Sequence, residues 1–274
     1  MKREKIASYI ITFVMLALAI LWIYPYIWLV LSSFKPVEDI YTRFWPKRLT
    51  LEHYKFILQA SERLHRPFVR AFMNSLFVTV TVTASVIVTS AILGYVISKI
   101  EFRLGKAIFN FILYQMLFPG FMFIIPMFIL IRNLGWLNTY KALIVPSLIS
   151  AWGTFMFAQA FKGIPKDYIE AARIDGANEL WIVFKIMLPL AYSTASIVGL
   201  FTFIGTWDNF MWPLMVVRDY NKMPLSVLLA SFNHEYAGYV GPVLAGAVIQ
   251  TLPMLIIFLI LRKFFLQGIS ITLK

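Results

Sequence analysis

The stretch Ile6–Phe34 reads IASYIITFVMLALAILWIYPYIWLVLSSF and contains no charged residue over 29 positions. A helix needs about 20 apolar residues to cross the ~30 Å hydrocarbon core of a bilayer, so this run is long enough to span a membrane. Five more charge-free runs of 20 to 28 residues follow it: residues 71–98, 107–131, 142–161, 186–207 and 236–261. The sequence therefore predicts six transmembrane helices.

The composition of the whole chain agrees with a membrane protein. Of 274 residues, 60% are hydrophobic and 14% are charged, and the mean hydropathy is +0.77. Soluble domains carry about 25% charged residues, so these few charges would leave large apolar patches exposed to water. The alternating pattern of a membrane barrel is absent. We predict an all-α polytopic membrane protein.

The net charge of +12 does not indicate nucleic-acid binding, because no run of basic residues is longer than two and the charges lie between the apolar runs. With the N-terminus inside, the inner segments hold 13 Lys and Arg and the outer ones 12, so charge does not settle the orientation. The chain has no cysteine, and His53, His65 and His234 lack metal-ligand spacing. Thiol chemistry is excluded and no metal centre is expected.

The polar connection 162–185 has the densest mix of charged and small residues in the chain. Residues 165–190, which run from it into the next span, read PKDYIEAARIDGANELWIVFKIMLPL. Pro165 favours the start of a helix and Asp167 stabilises its first turn. Gly176 suits the left-handed position that ends a helix, and Asn178 can cap a second one. The pattern predicts two short helices joined at a bend.

This segment also has the surface of a docking element. Ala171 and Ala172 allow the backbone of another protein to come close, and Glu170 and Asp175 offer carboxylates to basic side chains. The alternative is an ordinary polar loop between two spans. The spacing of the residues decides between these two interpretations.

This segment resembles the signature of ABC importer permeases. It keeps every spacing of that signature, with Glu170-Ala171-Ala172, Gly176, Ile186 and Leu188-Pro189 at the matching positions. The resemblance covers nearly the whole chain. Among importer permeases, the chain is most similar to those for carbohydrate uptake, of the type of the second permease subunit of maltose importers. The other matching stretches are Tyr24-Pro25, Ser33-Phe34-Lys35-Pro36, Trp45-Pro46, Leu51-Glu52-His53-Tyr54, Asn74-Ser75-Leu76, Trp207-Asp208-Asn209-Phe210 and Trp212-Pro213-Leu214. Two features depart from the family: Asp208 replaces a common Asn, and residues 268–274 replace a Gly-rich tail.

The resemblance implies the type I ABC importer permease fold. Residues 1–70 would form the N-terminal transmembrane helix and an external segment. Residues 71–266 would form a five-helix core that includes the cytoplasmic coupling segment 162–185, and residues 267–274 a cytoplasmic tail.

The resemblance further implies a permease subunit of an ATP-driven, binding-protein-dependent sugar importer in the cell inner membrane, with both termini cytoplasmic. Its partners would be a second homologous permease, two ATPase subunits, an extracytoplasmic sugar-binding protein and the lipid bilayer. The residues implied to dock the ATPase are Glu170, Ala171, Ala172, Asp175 and Gly176. The chain has no phosphate-binding loop of the Gly-x4-Gly-Lys-Ser/Thr type. We therefore expect that the chain is not an enzyme and binds no cofactor. The ATPase subunits would bind ATP and Mg.

Contacts with the substrate path or the binding protein are predicted at two outer stretches: Trp207, Asp208 and Asn209, and Asn233, His234, Glu235 and Tyr236. The alternatives are membrane anchoring for the first and a solvated loop for the second. The cargo could also be a polyamine, a glycerol phosphate or a peptide. A rival of another class is a membrane channel or enzyme that acts alone.

Overall fold

The computed structural model describes residues 2–60, 67–235 and 240–271, and for residues 2–4, 7, 60, 233–235 and 263–271 it describes the backbone alone. All regular secondary structure in these ranges is helical. The α-helices are α1 (Lys2–Ser33), α2 (Glu52–Lys55), α3 (Phe68–Lys99), α4 (Gly105–Met116), α5 (Ile124–Asn133), α6 (Tyr140–Ile144), α7 (Ala151–Lys162), α8 (Asp167–Ile174), α9 (Glu179–Ile182), α10 (Leu188–Leu190), α11 (Tyr192–Trp207), α12 (Met211–Val216), α13 (Leu225–Glu235) and α14 (Val240–Ile271). Short 3₁₀ turns occupy Val37–Asp39, Gly120–Phe123 and Val145–Ser147, and π-helical turns Phe56–Ala60 and Val183–Met187.

Four helical segments among the described residues are long and apolar enough to cross a membrane. They are Ser8–Ser33, Phe68–Lys99, Tyr140–Lys162 and Val240–Arg262. Two bent pairs pass the same test, and the number of spans rises to six if each pair is one span. The predicted all-helical membrane fold is therefore confirmed, and the polar segments lie between the spans.

The two bent pairs include the charge-free runs 107–131 and 186–207. Gly105–Met116 and Gly120–Asn133 meet at 95°, and Glu179–Leu190 and Tyr192–Trp207 meet at 88°. A proline stands at each bend: Pro119 has an extended backbone with ψ 128°, and Pro189 lies in the last turn before the second bend. Proline lacks the amide hydrogen and clashes with the preceding turn, so each span is broken there.

The chain divides into two compact units, one of Met1–Phe68 with Leu228–Leu252 and one of Val69–Val227 with Pro253–Lys274. The predicted division at residue 70 stays a prediction. The predicted assignment of residues 71–266 to one core and 267–274 to a tail stays a prediction, since the first unit also includes Leu228–Leu252.

In the first unit, a buried lysine organises the segment after the first span. The Lys35 side chain is fully buried, and its Nζ donates hydrogen bonds to Ser32 Oγ at 3.1 Å and to the Arg43 carbonyl oxygen at 2.8 Å. Burial lowers the pKa of the Lys35 ammonium, and the charge of Asp39 opposes this shift. A buried cation is tolerated only where hydrogen bonds replace water, so these contacts fix residues 35–43 against the end of α1.

In the second unit, α3 and α7 pack closely through small residues. A Cβ on Gly94 would lie 2.7 Å from Phe157 Cβ and 2.9 Å from the Ala158 amide nitrogen, and one on Gly153 would lie 2.6 Å from Ser90 Oγ. Small residues allow membrane helices to approach this closely. Ser90 and Gly94, four residues apart on α3, therefore serve packing within this chain.

This contact predicts the effect of a larger side chain. Gly94→Val places a branched group against the backbone of α7, and we expect it to destabilise the fold by about 1–3 kcal/mol or more, as overpacking does. Thermal unfolding of the detergent-purified protein measures the change. The control is Gly205→Ala, whose Cβ meets nothing within 4 Å. Equal melting temperatures for the two variants would contradict the close packing.

Candidate functional site

The polar segment after the fourth span folds as the sequence predicts. Asp167 begins α8, and after Ile174 the chain turns back through Gly176, whose φ of +82° lies in the left-handed region. The Ala177 amide closes this turn on the Ala172 carbonyl oxygen at 2.9 Å. Asn178 caps α9, because its side chain accepts a hydrogen bond from the Trp181 amide at 2.9 Å. The predicted pair of helices and both of their capping residues are confirmed.

The predicted docking residues lie together on this segment. Glu170, Ala171, Asp175 and Gly176 are exposed, whereas Ala172 is buried. The helices and their turn enclose a concavity of about 520 Å³, which we call the docking concavity; its lining includes Tyr168, Ala171, Ala172, Asp175, Gly176 and Trp181. Small and aromatic side chains line it and Asp175 adds a carboxylate. Such a surface can accept an apolar side chain of a partner protein with a basic group beside it.

The segment is tied to the end of α3 by a three-residue network, which we call the Tyr95 tether. The Tyr95 hydroxyl donates a hydrogen bond to Glu179 Oε2 at 2.5 Å, and Glu179 Oε1 accepts one from Arg173 Nε at 2.9 Å. Tyr95 is buried, while the Arg173 and Glu179 side chains are each 47% exposed. Hydrogen bonds to charged groups are stronger than neutral ones, so the tether fixes both sides of the turn at Gly176.

A second attachment holds the start of α8. Lys99 Nζ donates a hydrogen bond to the Ile164 carbonyl oxygen, and Lys166 Nζ lies 2.9 Å from Glu101 Oε1. Hydrogen bonding to Lys166 lowers the pKa of the Glu101 carboxyl, and the charge of Lys166 adds to this effect. Both partners of this ion pair are solvent-exposed, so it orients the segment and adds little stability.

The structure separates the three outer residues that the sequence groups together. Trp207 is 2% exposed and packs between Phe72 and Phe203, with ring centroids 5.4 Å and 6.0 Å away. Its indole offers no face to a ligand in this conformation. Asp208 is exposed and Asn209 is half-buried. Substrate contact at Asp208 and Asn209 stays a prediction.

The second outer stretch begins at the end of α13, which includes the backbone of Asn233, His234 and Glu235. The side chains of Asn233, His234 and Glu235 and the whole of Tyr236 lie outside the described residues. Their predicted contact with the binding protein stays a prediction.

The sequence analysis missed a break in the middle of the fourth span. Helix α6 runs into the 3₁₀ turn Val145–Ser147, and α7 starts at Ala151 after an irregular stretch capped by Ser150. The Leu148 carbonyl oxygen accepts hydrogen bonds from Ser85 Oγ at 3.2 Å and Thr89 Oγ1 at 3.0 Å. Pro146 within an otherwise apolar run is the signal that could have indicated this break.

Comparison with known proteins assigns this arrangement to a family. Residues 86–270 match the family described as binding-protein-dependent transport system inner membrane component. The chain belongs to this family. It is therefore an inner-membrane component of a transport system that works with a binding protein, and the prediction of a transport subunit rather than an enzyme is confirmed by the family.

Two curated relatives match this permease over nearly their whole length. The arabinooligosaccharides transport system permease protein AraQ of Halalkalibacterium halodurans is 29% identical over 98% of this chain and 97% of its own. The trehalose/maltose transport system permease protein MalG of Thermococcus litoralis is 30% identical over 98% of both chains.

A solved structure has the same fold. The crystal structure of a bacterial ABC transporter involved in the import of the acidic polysaccharide alginate contains a chain that superimposes with a TM-score of 0.86. That chain is 24% identical, and the match covers 97% of the permease and 98% of the other chain. The type I importer permease fold predicted from the resemblance is confirmed.

Proposed function

We propose that this permease forms one half of the translocation path of an ATP-driven importer whose cargo is a carbohydrate. The observation that carries the proposal is the match over nearly full length to permeases named for arabinooligosaccharides and for trehalose and maltose. A third relative, 29% identical over 93% of this chain, is the lactose transport system permease protein LacG of Rhizobium radiobacter.

Helix α8 and the turn at Gly176 are the proposed docking site for a cytoplasmic ATPase. The exposed carboxylates of Glu170 and Asp175 and the docking concavity support this role. The remaining proposed partners are a second homologous permease and a second ATPase, and the ATPase subunits would hold ATP and Mg. Closure of the ATPase dimer would displace α8 and shift the two permeases between inward-facing and outward-facing states.

The same proposal gives an orientation for the chain. If each bent pair is one span, four spans lie between the N-terminus and α8, and two more lie between α8 and the C-terminus. Even numbers of crossings place both termini on the side of α8. An ATPase docks in the cytoplasm, so both termini would be cytoplasmic.

Purification of this chain from its native membranes in mild detergent tests the proposal. We expect an ATPase and a second permease to be recovered with it. A chain that stays alone even after crosslinking would contradict the docking role of α8. Flux of sugar through liposomes that contain this chain alone would instead favour a channel that acts by itself.

The cargo class is tested with the assembled importer and its binding protein in proteoliposomes. We expect ATP-dependent uptake of a neutral oligosaccharide. Uptake restricted to a polyamine, a glycerol phosphate or a peptide would overturn the carbohydrate assignment and leave the importer assignment intact.

A further inference from the structure

The segment that follows the first span forms a closed loop at the end of α1. The Thr50 amide donates a hydrogen bond to the Phe34 carbonyl oxygen at 2.8 Å, so the chain returns to the point where it left the helix. The His53 Nε2 donates another to the Lys35 carbonyl oxygen at 2.8 Å. Surface loops whose ends meet in this way are compact, and this one is fixed to the protein at both ends.

Two aromatic contacts show that the loop folds back along α1. The Phe44 ring stacks on the Tyr24 ring, with centroids 5.7 Å apart and planes at 9°. The Tyr41 ring lies against the Trp28 ring, with centroids 6.5 Å apart. Phe44 and Tyr41 therefore lie beside the last turns of the first span and not beyond its end.

The length of the span gives the depth of these contacts in the membrane. A helix crosses the ~30 Å hydrocarbon core in about 20 residues, and about 20 residues counted from Ile6, where the charge-free run begins, end at Pro25. Tyr24 and Trp28 therefore stand at the far boundary of the hydrocarbon core, where aromatic side chains of membrane proteins are enriched. The loop residues that pack on them lie at the level of the lipid headgroups.

The stretch 41–51, YTRFWPKRLTL, presents apolar side chains at this level; we call it the interfacial loop. Tyr41, Trp45 and Leu49 are 74%, 69% and 73% exposed. Apolar groups of this size at the edge of a bilayer are removed from water when they insert among the upper parts of the lipid chains. The interfacial loop therefore has the surface of a membrane anchor.

The same loop carries positive charge that the protein only weakly neutralises. It contains three cations and no carboxylate. Arg43 pairs with Asp39 at 3.5 Å, whereas Arg48 lies 3.8 Å from Glu38 in a largely exposed pair that contributes little. Among the residues that the structure describes, no carboxylate forms an ion pair with the Lys47 side chain. Lys47 and Arg48 can therefore bind an anion from outside the chain.

The depth of the loop indicates which anion this is. Phosphodiesters of anionic phospholipids lie at the headgroup level, next to the chains that Trp45 and Leu49 can reach. A water-soluble protein would meet the charged groups but would not reach the apolar ones in the bilayer. Each Lys or Arg near an anionic membrane surface strengthens the attraction about fivefold, so Lys47 and Arg48 together are enough to select one class of lipid.

We propose that the interfacial loop binds the headgroup of an anionic phospholipid. Trp45 and Leu49 insert beside the lipid chains, and Lys47 and Arg48 pair with the phosphodiester. In the proposed orientation this end of α1 is on the outer side, so the lipid belongs to the outer leaflet. The inference does not depend on the cargo or on the ATPase.

The natural absence of cysteine in this chain allows a fluorophore to be placed in the loop alone. Leu49→Cys is labelled with bimane, and the complete importer is reconstituted in phosphatidylcholine vesicles. A fraction of the lipid is replaced by phosphatidylglycerol or phosphatidylcholine that carries a quenching nitroxide at carbon 5 of one chain. We expect half-maximal quenching at an at least about fivefold lower fraction of the phosphatidylglycerol probe, and this preference should decrease at high salt.

Removal of the two free cations tests their role. In the labelled chain, Lys47→Gln combined with Arg48→Gln should reduce the preference for phosphatidylglycerol to less than about twofold, while quenching by the phosphatidylcholine probe persists. The matched control is Arg103→Gln combined with Lys106→Gln, which removes two exposed cations from the connection between α3 and α4. This control should keep the full preference. ATP-driven uptake by the same vesicles shows that each importer is assembled.

Three results would overturn the proposal. The first is an absence of quenching by either probe, because the loop would then lie away from the membrane. The second is equal quenching by the two probes, or a preference that survives the replacement of Lys47 and Arg48. The third is loss of quenching when the binding protein is added, which would assign the loop to a contact with that protein instead. None of these results affects the importer assignment, which depends on uptake and on the recovered partners.

Discussion

Replacement of Gly176 by valine is expected to lower ATP-driven uptake at least about tenfold while the chain still inserts into the membrane. The φ of Gly176 is +82°, and a β-branched residue at such a position costs about 1–3 kcal/mol. Relief of this strain would rotate Asp175 and shift the end of α8 against the ATPase. Since 1.4 kcal/mol corresponds to a factor of ten, a change of this size is enough to uncouple the two proteins.

The matched control for this variant is Gly176→Asn. Asparagine tolerates the left-handed conformation better than other residues with a side chain, so we expect it to retain most of the uptake. Sugar uptake and ATP hydrolysis are measured together in proteoliposomes with the binding protein. Normal uptake by Gly176→Val would remove the coupling role from this turn. Ala172→Trp is a less specific probe, because Ala172 is buried within the chain and a large side chain there also perturbs folding.

Replacement of Gly205 by leucine is expected to reduce uptake by a similar factor through a different cause. Gly205 lies on α11 and lines a cleft of about 390 Å³ with Ser147 and Thr206, which we expect to belong to the translocation path. A Cβ added to Gly205 meets nothing within 4 Å. Leucine also has a higher helix propensity than glycine, by about 0.8–1 kcal/mol, so the fold should not suffer. The new side chain would occupy space that the cargo needs, and a loss of about 1.4 kcal/mol in cargo binding is tenfold.

The control for Gly205→Leu is Gly205→Ala, which adds one methyl group and should retain most of the uptake. Co-purification of the second permease is measured for both variants alongside uptake. Full uptake by an assembled Gly205→Leu importer would contradict the position of the cleft on the path. Loss of the second permease from the complex would instead place Gly205 at a contact between the permeases. This result would also contradict the position of the cleft on the path.

The sequence predicted those parts of this permease that depend on local physical chemistry. Charge-free runs of sufficient length predict membrane spans, because any charge in the hydrocarbon core is costly. The turn at Gly176 and the cap at Asn178 were predictable because each depends on the conformational preference of one residue and on hydrogen bonds to its near neighbours.

The features that the sequence did not predict depend on contacts between distant segments. Pro119 was recognisable as an interruption, but a bend of 95° is set by what the two halves pack against. Lys35 stands among eight basic residues in positions 35–70, and only the fold shows that it is buried. Trp207 and Phe201 lie on the same helix, and packing against Phe72 decides which of them is hidden.

The Tyr95 tether couples the movement of α3 to the movement of the segment that contains α8. The 32 residues of α3 form a rod roughly 48 Å long at 1.5 Å per residue, and Tyr95 lies near the end that is bonded to the turn at Gly176. In the proposed cycle, displacement of α8 would move the tethered end of α3. The helix would carry this displacement to its other end as a rigid body. The opposite end of α3 would then move together with α8, without a chain of intermediate rearrangements.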